Sequence, residues 1–400
     1  MLNVTDALAA VLANVPPLAS ETVSLTDAHD RVLHETIRAE REQPPFDRVM
    51  MDGIALRSSV APGATLRCLG TVFAGAEPHV TIADDVSCVE VMTGAVLPPG
   101  TDCVVPVEEL SRDGTHVTLT AEAVLAPGKF VHATGSDHAS GTTLLSPGGR
   151  IGMTEIAAIA SAGYAEVATS RLAKVTVIAT GDELVPAGST IESYQIRLSN
   201  GPALVSAVHA TGLAVATLIH CPDARDRLAA VLNDALSHSD VVILSGGVSR
   251  GKADYVPDVL SSLGVERVFH RVAQKPGKPL WFGRSDTATV FGLPGNPVSA
   301  LVTYRRFVVP YLVASAGLAA EPQLTVATTA PVQRLARLTR FVPVQSTYRG
   351  GEQLATPLGF NTSGDYAALT ETAGFIEVPP GGSPLEDGTL CAFFPWQTFT

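Results

Sequence analysis

Four hundred residues exceed what a single compact core ordinarily organises, and 46% apolar with 16% charged residues describes a well-packed globular chain of two to four units. Its 27 basic against 39 acidic residues give a formal net charge of −12, which argues against nucleic acid or an anionic membrane as the main partner and requires any bound anion to be held locally. Five scattered cysteines without a CxxC pair argue against zinc or a disulfide framework, Met1–Val15 lacks the pattern of a signal peptide, and no window approaches the ~20 apolar residues of a membrane span, so the expected location is cytoplasmic.

In chain order, Asn3 or Thr5 can cap a helix over Ala7–Leu12, and Thr26-Asp27 can cap a second over Ala28–Ala39. Pro44-Pro45 ends that stretch. From Phe46 to about His132 the texture changes to short β-rich runs, Thr65–Phe73, Val86–Met92 and His116–Ala123, punctuated by Pro and Gly turns. A helical patch at Met153–Gly163 follows, which makes the β region an insertion between helical pieces.

Between about Lys174 and Gly317, strands and helices alternate. Val175–Thr180, Leu213–Ile219, Val241–Leu244, Arg267–Val272 and Thr289–Gly292 read as strands; Pro202–Thr211, Ala224–Leu236, Tyr255–Leu263 and Val298–Ala314 read as helices. That alternation implies a doubly wound, mostly parallel sheet. After Glu321, short strands and Gly/Pro turns return. The expected class is multi-domain α/β, with a helical linker region (1–45 and 133–172), an inserted small β domain (46–132), a central α/β domain (173–318) and a C-terminal β-barrel-like domain (319–400).

Ligands of an open parallel sheet bind beyond the carboxyl ends of its strands. Three such ends carry polar, glycine-rich turns: Thr180-Gly181-Asp182-Glu183, Ser245-Gly246-Gly247-Val248-Ser249 and Leu293-Pro294-Gly295-Asn296-Pro297. Glycine admits close backbone approach, and a following helix offers unpaired N–H groups to an anion. Gln274-Lys275-Pro276-Gly277-Lys278-Pro279 adds two lysines three apart on a proline-stiffened stretch, in a chain with few lysines. Two neighbouring ammonium groups repel unless an anion joins them. Asp182, Glu183, Asp223 and Asp254 fall at strand ends or helix starts on the same side; Asp223 and Asp254 suit either helix capping or Mg²⁺ held by carboxylates and ligand phosphates. Neither GxxxxGK[ST] nor GxGxxG is present, so a P-loop kinase and a dinucleotide enzyme are not indicated.

Together with Met51-Asp52-Gly53, Met92-Thr93-Gly94-Ala95, Gly135-Ser136-Asp137 and Ala253-Asp254-Tyr255, these motifs resemble, in order and spacing, the molybdopterin molybdenumtransferases, the family that includes the C-terminal domain of gephyrin. The resemblance implies an elongated homodimer with composite active sites, in which adenylylated molybdopterin and molybdate become molybdenum cofactor and AMP with Mg²⁺ required. It implies a catalytic set of Asp52, Glu183, Asp254, Lys275 and Lys278, and metal ligands Asp223 and Asp254. Lys275, Lys278 and Ser299 correspond to molybdate ligands, with Arg340 and Ser363 as further contacts, and Ser245 stands on the nucleotide side. Thr93, Asp137, Asp182, Gly246, Gly247, Ser249, Pro279, Pro294, Gly295 and Asn296 complete the expected substrate-binding set.

Three positions depart from the pattern. Ile54 stands where tyrosine is frequent, Leu198 where an acidic residue is common, and Lys252 where an acidic one often precedes Ala253-Asp254. The alternative to molybdenum insertion is a gephyrin-like scaffold that keeps the fold with weak or no catalysis. Retention of both lysines, Asp254 and the glycine turns favours the enzyme.

Overall fold

The computed structural model describes residues 1–248, 255–359 and 364–397. The chain divides into one unit of Met1–His34, Pro147–Gly152 and Val167–Thr400 and another of Glu35–Ser146 and Met153–Glu166.

At the centre of the first unit is a six-stranded sheet in the order Ala214–Cys221, Ala173–Thr180, Val241–Ser245, Thr289–Leu293, Trp281–Arg284, Glu266–His270. The first four strands are mutually parallel, whereas Trp281–Arg284 runs antiparallel to both neighbours. The inner strands Ala173–Thr180, Val241–Ser245 and Thr289–Leu293 read as nearly unbroken apolar runs because both faces are covered. Val175, Val177, Ile243, Phe291 and Leu293 pack on one side with Val4, Ala7, Val11 and Leu204. Ile178, Val242, Leu244 and Val290 pack on the other with Leu228, Leu232, Val256 and Leu260. Alternation along each strand thus sends successive side chains into two different cores.

The same unit carries a closed five-stranded C-terminal barrel of Leu324–Thr328, Thr339–Arg349, Glu352–Pro357, Gly374–Val378 and Leu390–Pro395. A short strand, Gln274–Lys275, joins the start of Thr339–Arg349 in parallel, pairing Gln274 with Thr339 and Lys275 with Arg340. The second unit holds an open six-stranded sheet in the order Cys103–Pro106, Gly53–Leu56, Ser87–Val91, Thr65–Val72, His116–Leu119, Leu110–Asp113. Burial pushes its Cys88 and Cys103 thiols up to about 12. Among the described residues, no helix is long and apolar enough to cross a membrane.

The structure departs from the sequence expectations at three elements. No helix forms over Ala28–Ala39: Leu25–Asp27 makes a single 3-10 turn, Val32 and Leu33 form isolated β-bridges, and Ile37–Arg38 pairs with Thr143–Leu145. Ser24 Oγ donates to Asp27 Oδ2, so this side-chain bond closes the turn without starting a helix. The β-branched Val32 and Ile37 then follow their β partners; tertiary pairing outweighs a weak helix propensity. The strand Trp281–Arg284 was not foreseen. Finally, the long helix expected over Val298–Ala314 is interrupted by a π-helical turn, Tyr304–Val308, between helices Pro297–Thr303 and Val309–Ser315. Pro310 cannot donate a backbone hydrogen bond there. The π turn buries two consecutive arginines against the barrel: Arg305 Nε donates to the Pro395 carbonyl and pairs with Glu321 at 2.9 Å, and Arg306 pairs with Glu377 at 2.8 Å.

Candidate active site

The carboxyl ends of the parallel strands open on a cavity of ≈ 480 Å³. The turn after Ala173–Thr180 contributes Thr180 and Glu183, the turn after Val241–Ser245 contributes Ser245, Gly246 and Gly247, and the turn after Thr289–Leu293 contributes Pro294, Gly295 and Asn296. Asp223 enters from the end of Ala214–Cys221 and Pro279 from the lysine loop. Gly246 has φ +101°, and a Cβ on it would stand 2.9 Å from the Thr180 carbonyl oxygen, so a side chain would both strain the turn and close it.

Asn200 ties two of these turns together. Its amide donates to Ser245 Oγ at 2.9 Å and to the Gly295 carbonyl at 2.7 Å. The Asp223 backbone N–H donates to Asp182 Oδ1 at 3.1 Å, which places two carboxylates at neighbouring turns. Thr180 Oγ1 is buried and has no hydrogen-bond partner among the described residues. Buried hydroxyls are ordinarily satisfied, so this one is a donor and acceptor available to a ligand.

The lysine loop begins at the barrel strand Thr339–Arg349 and reaches the cleft at Pro279. Gln274 is fully buried, and its amide donates to the Gly277 carbonyl at 3.1 Å, pinning the turn from inside. Lys275 and Lys278 are exposed, and among the described residues neither ammonium makes an ion pair. Arg340, the register partner of Lys275, donates through Nη1 to the Gln333 carbonyl at 2.8 Å.

The second unit presents a different cluster. Asp52 immediately precedes Gly53–Leu56, whose antiparallel neighbour runs into Thr93, and Gly53 pairs with Val91. A Cβ on Gly53 would overlap the Val105 carbonyl oxygen, which explains the glycine in Met51-Asp52-Gly53. Asp52 Oδ1 accepts from the Thr93 N–H and from Thr93 Oγ1, both at 2.7 Å. The Thr93 backbone N–H first, and its hydroxyl second, hold the Asp52 carboxyl below its ordinary value.

Beside it, Arg48 Nη2 lies 3.0 Å from His132 Nδ1, and His132 Nε2 lies 2.9 Å from Asp137 Oδ1. A guanidinium can only donate, so His132 Nδ1 accepts and its proton sits on Nε2, aimed at Asp137.

Of the residues singled out from the sequence, Glu183, Asp223, Ser245, Gly246, Gly247, Pro279, Pro294, Gly295 and Asn296 line the cleft. Asp182 supports Asp223, and Ser299 is buried in the following helix, 5% exposed, its carbonyl accepting from the Thr303 hydroxyl. Asp52 and Thr93 bond to each other, and Asp137 is held by His132, all within the second unit. Ser249, Asp254 and Ser363, with Lys252, lie outside the described residues. Leu198 is 7% exposed and its N–H donates to the Val185 carbonyl.

Sequence reasoning missed Thr180 as a hydroxyl, Asn200 as a brace and Arg197, which lines the cleft and donates to the Pro186 and Ser189 carbonyls. A polar residue at a strand's last position was the available signal for Thr180.

Comparison with known proteins completes the picture. Residues 2–163 match the family model for the MoeA N-terminal region (domain I and II), 176–314 the probable molybdopterin binding domain, and 325–396 the MoeA C-terminal region (domain IV). A molybdopterin molybdenumtransferase from Synechocystis sp. is 36% identical, covering 99% of this chain and 100% of its own length. One from Staphylococcus aureus is 31% identical over 96% of this chain and 92% of its own. The crystal structure of a molybdopterin biosynthesis MoeA protein from Pyrococcus horikosii superposes with a TM-score of 0.85 at 29% identity, covering all of both chains. On full-length similarity in sequence and fold, this chain belongs to the molybdopterin molybdenumtransferase family.

Proposed function

We propose that the cleft at the carboxyl ends of the central sheet binds adenylylated molybdopterin and molybdate, and that molybdenum passes to the dithiolene as AMP leaves. One observation carries the reading: three strand-end turns meet at one cavity that the lysine loop joins through Pro279, and the two ammonium groups of that loop pair with no described residue. In a chain of net charge −12, such unpaired cations are a local anion site.

The roles follow from the groups present. Lys275, Lys278 and Ser299 hold molybdate, with Arg340 and Ser363 as further contacts. The Ser245-Gly246-Gly247 turn offers backbone N–H groups to phosphate oxygens, and Asn200 keeps it registered with Gly295. Among the described residues, no group of three or more His, Cys, Asp or Glu forms a metal cage. Asp223 with Asp182 nonetheless suits Mg²⁺, which is ordinarily held by one or two carboxylates plus substrate phosphates, and Asp254 would be the further ligand. When bound, Mg²⁺ neutralises the phosphoanhydride charge. Positioning of two anions by fixed charges is then the main contribution of the protein.

The same reading divides the chain into 1–45 with 133–172, 46–132, 173–318 and 319–400, and makes the enzyme a homodimer in which Asp52, Thr93 and Asp137 of one subunit serve the pterin side of its partner's cleft. The test is release of AMP from adenylylated molybdopterin as molybdate is added. Molybdate-dependent release is the expected result; none, from a folded protein with Mg²⁺ present, would return the chain to the scaffold reading.

A further inference from the structure

The cleft continues past its glycine turns. Ser199, Asn200 and Pro297 line both the cleft and a second cavity of ≈ 300 Å³, which also lies against Tyr304, Tyr366 and Trp396. The two cavities differ in chemistry. The cleft is lined by the strand-end turns with Thr180, Glu183, Asp223 and Ser245, whereas the second is lined by Ala203, Ala207, Leu301, Leu369 and aromatic rings, with Ser199, Asn200, Arg305 and Thr370 among them. The π turn described above puts Tyr304 and Arg305 on its wall in succession.

Among the described polar groups that line it, one is both buried and unpartnered. Tyr304 is 4% exposed, and its hydroxyl is buried without a hydrogen-bond partner among the described residues. Leaving a buried donor unsatisfied is costly, and native proteins rarely keep one without a reason. Burial pushes the phenol well above its ordinary value, so it remains a donor at any working pH. Trp396 is fixed from the other side: its indole N–H donates to Thr372 Oγ1 at 2.8 Å, and its ring lies 5.2 Å from that of Phe375. A rigid aromatic wall, a narrow apolar space and one buried donor suit a flat ring with apolar faces and acceptor atoms on its edge.

We propose that this second cavity holds a fused heteroaromatic ring of the adenylylated substrate, with the Tyr304 hydroxyl donating to the ring's edge while the phosphates occupy the neighbouring cleft. The inference rests on the reading of the cleft as a phosphate site. Adenine and pterin share the fused pyrimidine that fits here, and the experiment separates them.

The purified full-length protein would be titrated calorimetrically with three probes: AMP, neopterin phosphate, and ribose 5-phosphate, which carries the phosphate without a ring. Two variants accompany the wild type. Ala203→Phe fills the cavity, and Tyr304→Phe removes only the hydroxyl, which keeps the test alive should the bulkier change prevent folding. The expected result is that one ring-bearing probe loses affinity at least tenfold in Ala203→Phe and three- to tenfold in Tyr304→Phe, while ribose 5-phosphate binds unchanged. AMP as the affected probe identifies adenine; neopterin phosphate identifies the pterin. Ring-bearing probes that bind wild type and both variants equally overturn the proposal and leave the cleft reading intact. Equal weakening of all three probes overturns it as well, because the damage then lies in the phosphate site. If no probe binds the wild type, the cleft reading fails and the ring site with it.

Discussion

The two ends of the central sheet carry cavities of unequal size, and the larger one is not the candidate site. At the amino end, a cavity of ≈ 680 Å³ is lined by Arg171, Asp240, Glu266, Arg284 and Asp286 among others. Four of these five charges answer one another in pairs. Arg171 grips Asp240 through two bonds of 2.6 Å, Lys174 N–H adds a third at 2.7 Å, and Arg284 lies 3.7 Å from Glu266. Burial pushes the Asp240 carboxyl up, but Arg171 and the Lys174 N–H outweigh it, and the group sits below its ordinary value. At the carboxyl end the cavity is ≈ 480 Å³, yet Thr180 Oγ1 on its wall is without a partner among the described residues, as are both lysines of the loop that reaches it through Pro279. Self-satisfied charge marks structure, and unspent hydrogen-bonding capacity marks a place for a ligand.

The sharpest way to break that contrast is at the lysines. Lys275→Ala and Lys278→Ala should each raise the molybdate concentration needed for AMP release ten- to hundredfold, the equivalent of about 1.5–3 kcal/mol for a charge-assisted contact. Because both side chains are exposed, thermal unfolding should barely move. Unchanged molybdate dependence in folded variants would remove the assignment.

The amino end should behave oppositely. Asp240→Ala strands Arg171 and the Lys174 N–H, and should lower unfolding stability by about 1–3 kcal/mol in a denaturant titration. Turnover of the protein that remains folded should match wild type. Stability lost at one end and ligand response lost at the other would confirm the division; a large kcat loss in Asp240→Ala would erase it.

The second unit offers finer tests, since its carboxylates are tied yet exposed. His132→Leu should release Asp137 and lower kcat about three- to tenfold, in line with roughly 0.5–1.5 kcal/mol for one hydrogen bond, whereas His132→Gln can still offer Asp137 a donor and should keep most activity. Nitrogen NMR of wild type should find the proton on Nε2. The mildest expectation concerns Asp52. Its depressed carboxyl makes a stabilising contribution that is fully present above the ordinary value of 3.8 and is lost as pH falls through the lower folded value. Thr93→Val removes the hydroxyl and keeps the backbone N–H, so carbon NMR should show the Asp52 midpoint moving only part of the way back towards 3.8.

Much of the central sheet was legible because its signals are local. Apolar β-branched runs ending in glycine turns gave the strands, and the cleft turns sit at the ends those runs predict. The short strand Trp281–Arg284 was not legible: four residues carry too little period to register, and only the pairing with Glu266–His270 and Thr289–Leu293 stabilises it. The stretch Ala28–Ala39 misled because its helical spacing is real but its partners are remote in sequence. Within the site, glycine and lysine motifs announced themselves. Asn200, Gln274 and Tyr304 did not, since their importance lies in what they touch across the fold.

The strand Gln274–Lys275 has a consequence for how freely this architecture can be rearranged. Its backbone pairs with the start of the barrel strand Thr339–Arg349, with Lys275 opposite Arg340, while the loop reaches the cleft four residues on, at Pro279. Swapping in a foreign barrel, or trimming the chain after the central helices, therefore does more than remove a terminal module. It deprives one anchoring lysine of the neighbour that sets its position, so the modular appearance of the chain conceals a splice point that evolution or an engineer can cross only by replacing the loop and the barrel strand together.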